Sequence, residues 1–339
     1  MIKRKVLCFP EKEKAILVEE ELSEELKEGE ILVKNLKTLI SPGTELALYT
    51  GTHVGFRDPN NLWAKYPHYP GYISVGEVIK VGERVTTVNE GDIILSDLNH
   101  CSYGKLQSSN PLIIRLPSDS DLDTMLFSRM AAISFTAVIS AEYTLGDNVA
   151  VLGLGLVGNL CSQLFKLSGT NVYGVEIKPS CIEKARDVGI DHVVLGGETR
   201  EVKERLLKET KGLGFDIVVE ATGVSELVNQ ALELVKEGGQ VILLGSTRGD
   251  VNVDVYTYIH RKGITVKGAH ANILNFPKIA GRIGGTRGAI IKMIDLINTG
   301  KLNVKPIITH RISPELAIEA YQWLMDKKSD ALGIIINWW

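Results

Sequence analysis

Apolar and polar positions follow two different rhythms along the chain, and the change falls shortly after residue 120. Before that point, short apolar runs are separated by turns rich in glycine, proline and asparagine. The runs cover residues 15–18, 30–36, 76–81, 91–96 and 112–116. Many short strands with such turns between them predict a partly closed β-barrel in the first part of the chain.

From residue 148 onward, strand-like apolar runs alternate with helix-like amphipathic segments. The predicted strands cover residues 148–153, 172–176, 192–195, 215–220, 240–245 and 264–268, and the predicted helices cover residues 179–188, 201–210 and 226–236. Strands and helices in this alternation predict a doubly wound parallel sheet. A later amphipathic helix at 287–298 leads to a last apolar run at 331–338, which we expect to rejoin the first domain.

The segment from Asn148 to Glu176 carries a phosphate-binding pattern. Gly153, Gly155 and Gly158 follow a predicted strand and open a predicted helix. The first glycine permits a tight turn, the second lets the backbone approach a pyrophosphate, and the third lets the helix pack on the strand. Glu176 ends the next strand, where a carboxylate accepts both ribose hydroxyls and repels a 2′-phosphate. We therefore expect NAD rather than NADP as the cofactor.

Length and composition narrow the class of protein. The 339 residues exceed one core of usual size, and 44% hydrophobic residues predict a globular chain of two domains. A net charge of −3 argues against nucleic acid or an anionic membrane as a partner. The first residues are charged and have no long apolar core, so we expect no signal peptide. No stretch of eighteen apolar residues occurs, so we expect no membrane span, and the cytoplasm is the default compartment. The four cysteines are scattered, which argues against a disulfide framework.

Several stretches, taken together, resemble the medium-chain dehydrogenase/reductase superfamily, the zinc-type alcohol dehydrogenase-like proteins, over nearly the whole chain. They are residues 41–51 (SPGTELALYTG), 70–82 (PGYISVGEVIKVG), 90–92 (EGD), 153–158 (GLGLVG), 220–223 (EATG), 238–246 (GGQVILLGS) and 300–339.

The resemblance implies an α/β protein with two domains. A GroES-like, partly open β-barrel catalytic domain would comprise residues 1–129 and 270–339. A doubly wound, parallel-sheet Rossmann domain that binds NAD would comprise residues 130–269. The resemblance also implies hydride transfer between the cofactor and a secondary alcohol or its ketone, with the protein managing the proton and the orientation.

The positions of the family's zinc ligands are occupied by other residue types. Where the resemblance places the first cysteine, this chain has Ser41 and Pro42, and where it places the histidine and its adjacent glutamate, it has Tyr72 and Ile73. The third ligand position falls at about Ser128. A catalytic zinc needs three protein ligands and an open position. We therefore expect no metal, and a hydrogen-bond donor or general acid in its place.

The same resemblance suggests which side chains carry the chemistry. Thr44 matches a family hydroxyl that hydrogen-bonds the substrate oxygen and begins a proton relay. Tyr72 stands at the position of the zinc histidine, where its hydroxyl could donate to a carbonyl. Glu45 matches an acid that steadies the site electrostatically. His100 lies near the wall of the substrate cleft and suits proton shuttling near neutral pH.

Two further histidines and a set of cofactor contacts are also predicted by the resemblance. His53 and His270 are candidates for the substrate pocket. The candidate cofactor-binding residues lie at the carboxyl ends of the predicted parallel strands, where ligands bind in such sheets. They are Gly153, Gly155, Leu156, Val157, Gly158, Glu176, Lys178, Thr222, Gly223, Leu244, Gly245 and Ser246.

Three functions remain open from the sequence. The leading one is NAD-dependent, zinc-independent interconversion of a small-molecule secondary alcohol (polyol, cyclitol or sugar-type) and its ketone. The second is an enone or quinone reductase, in which a hydroxyl stabilises an enolate; such relatives usually use NADPH, which Glu176 disfavours. The third is a non-catalytic NAD(H)-binding sensor. The predicted strand at 264–268 would leave an unpaired sheet edge, so we expect a homodimer or homotetramer.

Overall fold

The structure is a computed structural model of the chain, and it describes residues 1–197, 199–326 and 328–339. These residues form two compact units. The first unit comprises residues 1–129 and 308–339, and the second comprises residues 130–307.

The strands and helices have the following bounds. The strands are β1 (Ile2–Cys8), β2 (Ile16–Leu22), β3 (Glu30–Leu39), β4 (Ser74–Val81), β5 (Ile93–Ser96), β6 (Tyr103–Gln107), β7 (Ile114–Arg115), β8 (Asn148–Leu152), β9 (Asn171–Glu176), β10 (His192–Leu195), β11 (Phe215–Glu220), β12 (Val235–Leu243), β13 (Thr265–Gly268), β14 (Ile308–Ile312) and β15 (Gly333–Asn337). The α-helices are α1 (Pro42–Tyr49), α2 (Leu122–Met125), α3 (Phe127–Ser140), α4 (Leu156–Leu167), α5 (Pro179–Asp187), α6 (Thr199–Glu209), α7 (Leu227–Leu234), α8 (Pro277–Ile283), α9 (Gly285–Asn298) and α10 (Ala317–Met325). Short 3₁₀ turns lie at Val54–Arg57, Ala271–Asn275 and Lys305–Ile307, and a π-helical turn lies at Tyr256–His260.

The second unit is built on a six-stranded sheet with the order β10-β9-β8-β11-β12-β13. Every neighbouring pair in this sheet is parallel. Strand β8 is buried from Val149 to Leu152. A strand with helices on both faces of its sheet is a continuous apolar run, because neither face meets solvent. The order reverses between β8 and β11, which is where doubly wound sheets bind ligands. The predicted fold class is confirmed.

The first unit contains a larger mixed sheet and a separate hairpin. The large sheet has the order β14-β15-β3-β4-β5-β7, with β6 also paired to β3, and β1 pairs with β2. Strand β15 pairs antiparallel with β3, so the end of the chain rejoins the first domain as the last apolar run predicts. Phe9, Tyr49 and Tyr321 meet in its core, with ring centroids 4.9–5.3 Å apart.

The structure moves one domain boundary. The sequence analysis returns the chain to the catalytic domain at residue 270, whereas residues 270–307 group with the second unit. The side chain of Gln163 on α4 explains part of this, because its Nε2 donates to the Asn303 carbonyl at 3.0 Å and its Oε1 accepts the Asn303 N–H at 2.9 Å. Helix α9 also buries its apolar face, from Ala289 to Ile297. An amphipathic pattern predicts such a helix but not the core on which it packs.

One described stretch, Leu122–Ser140, has the length and mean hydropathy of a membrane span. Of its apolar window, 67% is buried inside the protein. Burial of this extent favours a core helix, which has the same length and composition.

Candidate active site

The turn after β8 can be formed only with glycine at its first position. Gly153 has a φ of +88°, in the left-handed region that side chains disfavour. A Cβ atom there would also lie 2.5 Å from Cγ2 of Thr222. The Gly153 N–H donates to the carbonyl of Val175 at 2.8 Å, which fixes the turn against β9.

The next two glycines have opposite surroundings. At Gly158 a Cβ atom would lie 1.9 Å from the carbonyl oxygen of Gly153, so α4 packs directly on the turn. At Gly155, the N-cap of α4, a Cβ atom would meet nothing within 4 Å. Leu156 and Val157 begin the helix, and their amides have no acceptor within it. Open space, free amides and the positive end of a twelve-residue helix fit a pyrophosphate.

Glu176 at the end of β9 is held by backbone amides. Its Oε2 accepts the N–H of Leu154 at 2.8 Å, and its Oε1 accepts those of Ile177 and Lys178 at 2.7 and 2.9 Å. A carboxylate offers about four acceptor sites. The three amides use three of these sites, so about one acceptor site, on Oε2, is left for a ribose hydroxyl. The predicted contact with both hydroxyls stays a prediction.

The loops after β11 and β12 pack closely through their glycines. Gly223 has a φ of +75°, and a Cβ atom there would lie 2.8 Å from the carbonyl oxygen of Ser246. A Cβ atom on Gly245 would lie 2.3 Å from the Gly223 nitrogen. The predicted cofactor residues of these two loops are thus brought together at the carboxyl ends of neighbouring strands.

Glu220, the last residue of β11, accepts hydrogen bonds from both loops. Its Oε1 accepts the N–H groups of Thr222 and Gly223 at 2.6 and 3.0 Å. Its backbone carbonyl accepts the N–H group of Leu244 at 2.9 Å. The side chain is fully buried, and burial raises its pKa above the ordinary value. The sequence analysis includes Glu220 in the family motif but gives the carboxylate no role.

In the first unit, a buried polar group that we call the Glu45 cluster joins Ser41, Glu45, Tyr72, His100 and Tyr321. Oε2 of Glu45 is 3.0 Å from Nε2 of His100 and accepts the hydroxyl of Tyr321 at 2.7 Å. Oε1 of Glu45 accepts the N–H of Ser41 at 2.9 Å. The hydroxyls of Ser41 and Tyr72 are 2.5 Å apart.

Glu45 and His100 act from inside the cluster. Their side chains are 1% and 0% exposed, so neither offers a surface to a substrate. Behind them, a Cβ atom on Gly71 would lie 2.5 Å from the His100 nitrogen. Neither side chain can therefore contact a substrate directly, and the proton-shuttling role predicted for His100 stays a prediction.

Of the four predicted catalytic residues, Tyr72 and Thr44 are the two whose side chains are partly exposed. Both side chains are half-buried, and Thr44 lies in the first turn of α1. Burial raises the pKa of the Tyr72 hydroxyl, and hydrogen bonds to Ser41 and Thr44 offset only part of this. Tyr72 therefore remains a proton donor at neutral pH.

Arg129 is a functional candidate that sequence reasoning missed. Its positive charge acts on Tyr72 and on Asp97, and its Nε is buried without a hydrogen-bond partner among the described residues. The sequence analysis examines Ser128 instead, whose buried hydroxyl donates to the Met125 carbonyl at 2.6 Å. The sequence signal that could have pointed to Arg129 is its position directly after Ser128, where the third zinc ligand is predicted.

The two histidines predicted for the substrate pocket cap short helical turns. Nδ1 of His53 accepts the N–H of Gly55 at 3.0 Å, and its ring meets Trp63 edge-on at 5.0 Å. Nδ1 of His270 accepts the N–H of Asn272 at 3.2 Å, and this side chain is exposed. Their substrate contacts stay predictions.

The described residues contain no group of three or more histidine, cysteine or acidic side chains arranged to hold a metal. Burial raises the pKa of Cys101 to about 12 and that of Cys181 to about 11, so both thiols are protonated near neutral pH.

The second unit is a Rossmann domain by its strand order and its glycine turn, and the first unit has a seven-stranded mixed sheet, a hydrophobic core and one buried polar cluster. This pair defines the architecture of a two-domain dehydrogenase. The Zinc-binding dehydrogenase family profile matches residues 157–296. L-threonine 3-dehydrogenase of Caldanaerobacter subterraneus subsp. tengcongensis is 27% identical, over 88% of this chain and 89% of that protein.

Two further similarities agree with this. NADP-dependent isopropanol dehydrogenase of Entamoeba histolytica is 26% identical, over 83% of this chain and 85% of that protein. The crystal structure of 2R,3R-butanediol dehydrogenase from Bacillus subtilis has a TM-score of 0.80 at 22% identity, and covers 98% of this chain and 99% of that one. The family profile and the curated relatives, which are alcohol dehydrogenase-like oxidoreductases, support the predicted medium-chain dehydrogenase/reductase superfamily, and the solved structure shows the same fold.

Proposed function

We propose that the protein catalyses the NAD-dependent interconversion of a secondary alcohol (polyol, cyclitol or sugar-type) and its ketone without a catalytic zinc. The observation that carries the proposal is the glycine turn of the second unit. There, the open space at Gly155 adjoins the first amides of α4, and Glu176 ends the neighbouring strand with one acceptor site left. A nicotinamide cofactor supplies the hydride or accepts it when bound.

Glu176 supports NAD over NADP. Its carboxylate is fixed by three amides and is 9% exposed, so it cannot easily turn away from a 2′-phosphate. One relative is NADP-dependent, which makes the preference worth measuring directly. Titration of the purified protein with NADH and with NADPH should show tighter NADH binding. Glu176→Gln should narrow the difference, because it removes the repelling charge and keeps an acceptor oxygen. Equal binding of both cofactors by the wild type would overturn the assignment.

On the substrate side, Tyr72 is the proton donor to the ketone oxygen, or the hydrogen-bond donor to the alcohol oxygen in the reverse direction. Its hydroxyl is hydrogen-bonded to Ser41, whose backbone N–H is held by Glu45. Thr44, in the first turn of α1, supplies a second candidate hydroxyl. Because burial keeps Tyr72 protonated, donation persists through neutral pH. General acid catalysis of this kind contributes about 10²–10⁴-fold.

The test is the appearance of NADH absorbance when chelator-treated protein is mixed with NAD⁺ and pools of polyols, cyclitols and sugars. Turnover with chelator present supports the proposal, whereas turnover that returns only with added zinc contradicts it. Tyr72→Phe should lower kcat by about 10²–10⁴-fold with an unchanged Kd for NADH. Tyr69→Phe, at a 43% exposed tyrosine three residues away, is the matched control and should retain full activity.

Enone or quinone reduction is the second candidate. A protonated tyrosine also suits an enolate oxygen. NADH or NADPH consumption with simple enones, and none with ketones, would favour this reaction. Tight NADH binding without turnover in either assay would favour the non-catalytic sensor.

We also propose that the protein acts on a small molecule in the cytoplasm as a homodimer or homotetramer, with no nucleic-acid or membrane partner. Strand β13 is the edge of the six-stranded sheet, and Val266 on it is 38% exposed. An exposed edge of this kind favours pairing with another copy. Light scattering coupled to gel filtration distinguishes a dimer or tetramer from a monomer.

A further inference from the structure

The serine at the start of α1 does not use its side chain to cap the helix. Ser41 is the N-cap residue, a position where a serine hydroxyl ordinarily accepts a backbone N–H of the first turn. The hydroxyl of Ser41 accepts none of these amides and lies 2.5 Å from the hydroxyl of Tyr72 instead. The start of α1 is therefore arranged so that this hydroxyl serves Tyr72.

Glu45 holds the backbone of Ser41 from both sides. Oε1 of Glu45 accepts the N–H of Ser41 at 2.9 Å, and the N–H of Glu45 donates to the Ser41 carbonyl at 3.0 Å. These two bonds fix the peptide groups before and after the Cα atom of Ser41. They therefore also fix the direction in which its hydroxyl points toward Tyr72.

The other oxygen of Glu45 is held by residues from two distant parts of the first unit. Oε2 accepts the hydroxyl of Tyr321 at 2.7 Å and lies 3.0 Å from Nε2 of His100. The Tyr321 ring is stacked on Tyr49 with 5.3 Å between centroids and meets Phe9 edge-on at 4.9 Å, so its hydroxyl has a fixed position. Nδ1 of His100 is buried without a hydrogen-bond partner among the described residues, so the tautomer with its proton on Nε2 buries no unpaired N–H.

Capping of α1 alone does not account for a buried carboxylate. The helix has eight residues, and the hydroxyl of an N-cap serine would satisfy one of its first amides without burying a charge. The Glu45 side chain is 1% exposed, and a carboxylate taken out of water opposes folding unless several donors satisfy it. The first unit supplies those donors, and what the arrangement gains is a serine hydroxyl held against Tyr72.

We propose that Tyr321 and His100 are positioning residues that orient the Tyr72 hydroxyl through the Glu45 carboxylate and Ser41. This rests on the proposed function, in which Tyr72 donates the proton to the ketone oxygen. Tyr321 and His100 are both fully buried, so they act through their neighbours and not on the substrate. Without the Tyr321 hydroxyl, Oε2 keeps one donor, and the carboxylate is free to turn and release Ser41. Tyr72 then spends less time in its donating orientation, which lowers kcat.

Two tyrosine variants test the role of Tyr321. Tyr49 is the matched control, because it is buried in the same aromatic group and its hydroxyl also donates at 2.7 Å, to the Glu13 carbonyl. Tyr321→Phe and Tyr49→Phe each keep the ring and lose one hydrogen bond. Tyr321→Phe should lower kcat by about 10- to 100-fold, as expected for a misplaced catalytic group, with an unchanged Kd for NADH. Tyr49→Phe should keep the kcat of the wild type, and equal losses in both variants would overturn the positioning role.

A spectroscopic measurement separates this proposal from the proposed function, because it needs no turnover. NMR of the full chain with tyrosines isotopically labelled at Cζ reports the hydrogen bonding of each hydroxyl, and the Tyr72 signal is the one lost in Tyr72→Phe. This signal should move in Ser41→Ala, move in the same direction in Tyr321→Phe, and stay in place in Tyr49→Phe. A Tyr72 signal unmoved in Tyr321→Phe overturns the positioning role and leaves the proposed function standing. A moved signal in a protein that turns over no alcohol or ketone supports the positioning role and contradicts the proposed function.

A second pair of variants tests His100. His100→Gln keeps an N–H donor in place of Nε2, whereas His100→Leu removes it. His100→Leu should lower kcat and move the Tyr72 signal as Tyr321→Phe does, and His100→Gln should restore both toward the wild type. Thermal unfolding shows whether each variant is folded, and the comparison of Tyr321→Phe with Tyr49→Phe decides the proposal if His100→Leu is not. A folded His100→Leu with the kcat and the Tyr72 signal of the wild type would contradict the part assigned to His100.

Discussion

Replacement of Gly158 by alanine should destabilise the second unit, because there is no room for a Cβ atom at this position. The atom would lie 1.9 Å from the carbonyl oxygen of Gly153 and 2.9 Å from its carbonyl carbon. Carbon and oxygen atoms that are not bonded stay about 3 Å apart or more, so α4 would have to move from the turn by roughly 1 Å.

Two opposing effects set the magnitude. Overpacking of this size costs about 3 kcal/mol, whereas alanine in a helix is favoured over glycine by about 1 kcal/mol. The free energy of unfolding should therefore fall by about 2 kcal/mol, which lowers Tm by about 4–8 °C for a unit of this size. The shift also displaces the first amides of α4, so the affinity for NADH should fall by about 10-fold or more.

Two other glycines provide matched controls. A Cβ atom on Gly281, within α8, meets nothing within 4 Å, and Gly281→Ala should stabilise by up to about 1 kcal/mol. A Cβ atom on Gly155 also meets nothing, but it would occupy the space assigned to the pyrophosphate. Gly155→Ala should therefore keep its Tm within about 2 °C and lose NADH affinity.

Scanning calorimetry and NADH fluorescence titration of the three variants decide the matter. If Gly158→Ala unfolds at the temperature of Gly281→Ala and binds NADH as the wild type does, the close packing of α4 on the turn is wrong. If Gly155→Ala binds NADH normally, the position assigned to the pyrophosphate is wrong.

Three further predictions concern stability, pH and assembly. Burial raises the pKa of Glu220, so the folded state keeps a proton that the unfolded state releases. The free energy of unfolding should therefore fall as pH rises from the ordinary pKa of 4.5 through the raised pKa. Urea unfolding at about pH 5 and pH 8 should show a smaller fall in Glu220→Gln than in the wild type. Tyr321→Phe removes the 2.7 Å hydrogen bond to the buried Glu45 carboxylate and should cost about 1–3 kcal/mol, and an unchanged urea midpoint would argue that the bond contributes nothing. Val266→Asp places a charge on the exposed edge strand and should shift light-scattering mass toward the monomer, whereas a constant mass would place the interface elsewhere.

The glycine turn of the second unit was predictable because its parts are close in sequence. Gly153, Gly155 and Gly158 lie within one turn and the start of one helix, so the chain itself brings them together. Glu176 follows at the end of the next strand, and parallel pairing with β8 carries it to the same edge. The pattern did not show that three backbone amides already use most of its acceptor sites, because a residue type does not reveal its partners.

The Glu45 cluster was only partly predictable. The sequence singled out Glu45, Tyr72 and His100 as separate candidates, but Tyr321 belongs to a helix near the other end of the chain. Its hydroxyl reaches Glu45 only because the chain end returns to the first domain, where β15 pairs with β3. No periodicity within one segment encodes a contact between residues so far apart. The burial of Glu45 and His100 follows from the same packing, and it leaves His100, which was predicted near the wall of the substrate cleft, without an exposed surface.

Arg129 and the residues at the positions predicted for the family's zinc ligands can be compared by the charge that they bring. A zinc ion would bring two positive charges to its ligands, and Ser41, Tyr72 and Ser128 bring none. Arg129 follows Ser128 directly, and its positive charge acts to lower the pKa of the Tyr72 hydroxyl. A guanidinium donates hydrogen bonds but does not acidify a bound alcohol as a metal does, so a separate proton donor is required. Tyr72, kept protonated by burial and hydrogen-bonded to Ser41, meets that requirement. The sequence shows the arginine and the tyrosine 57 positions apart, and only the fold of the first unit shows that the charge of one acts on the hydroxyl of the other.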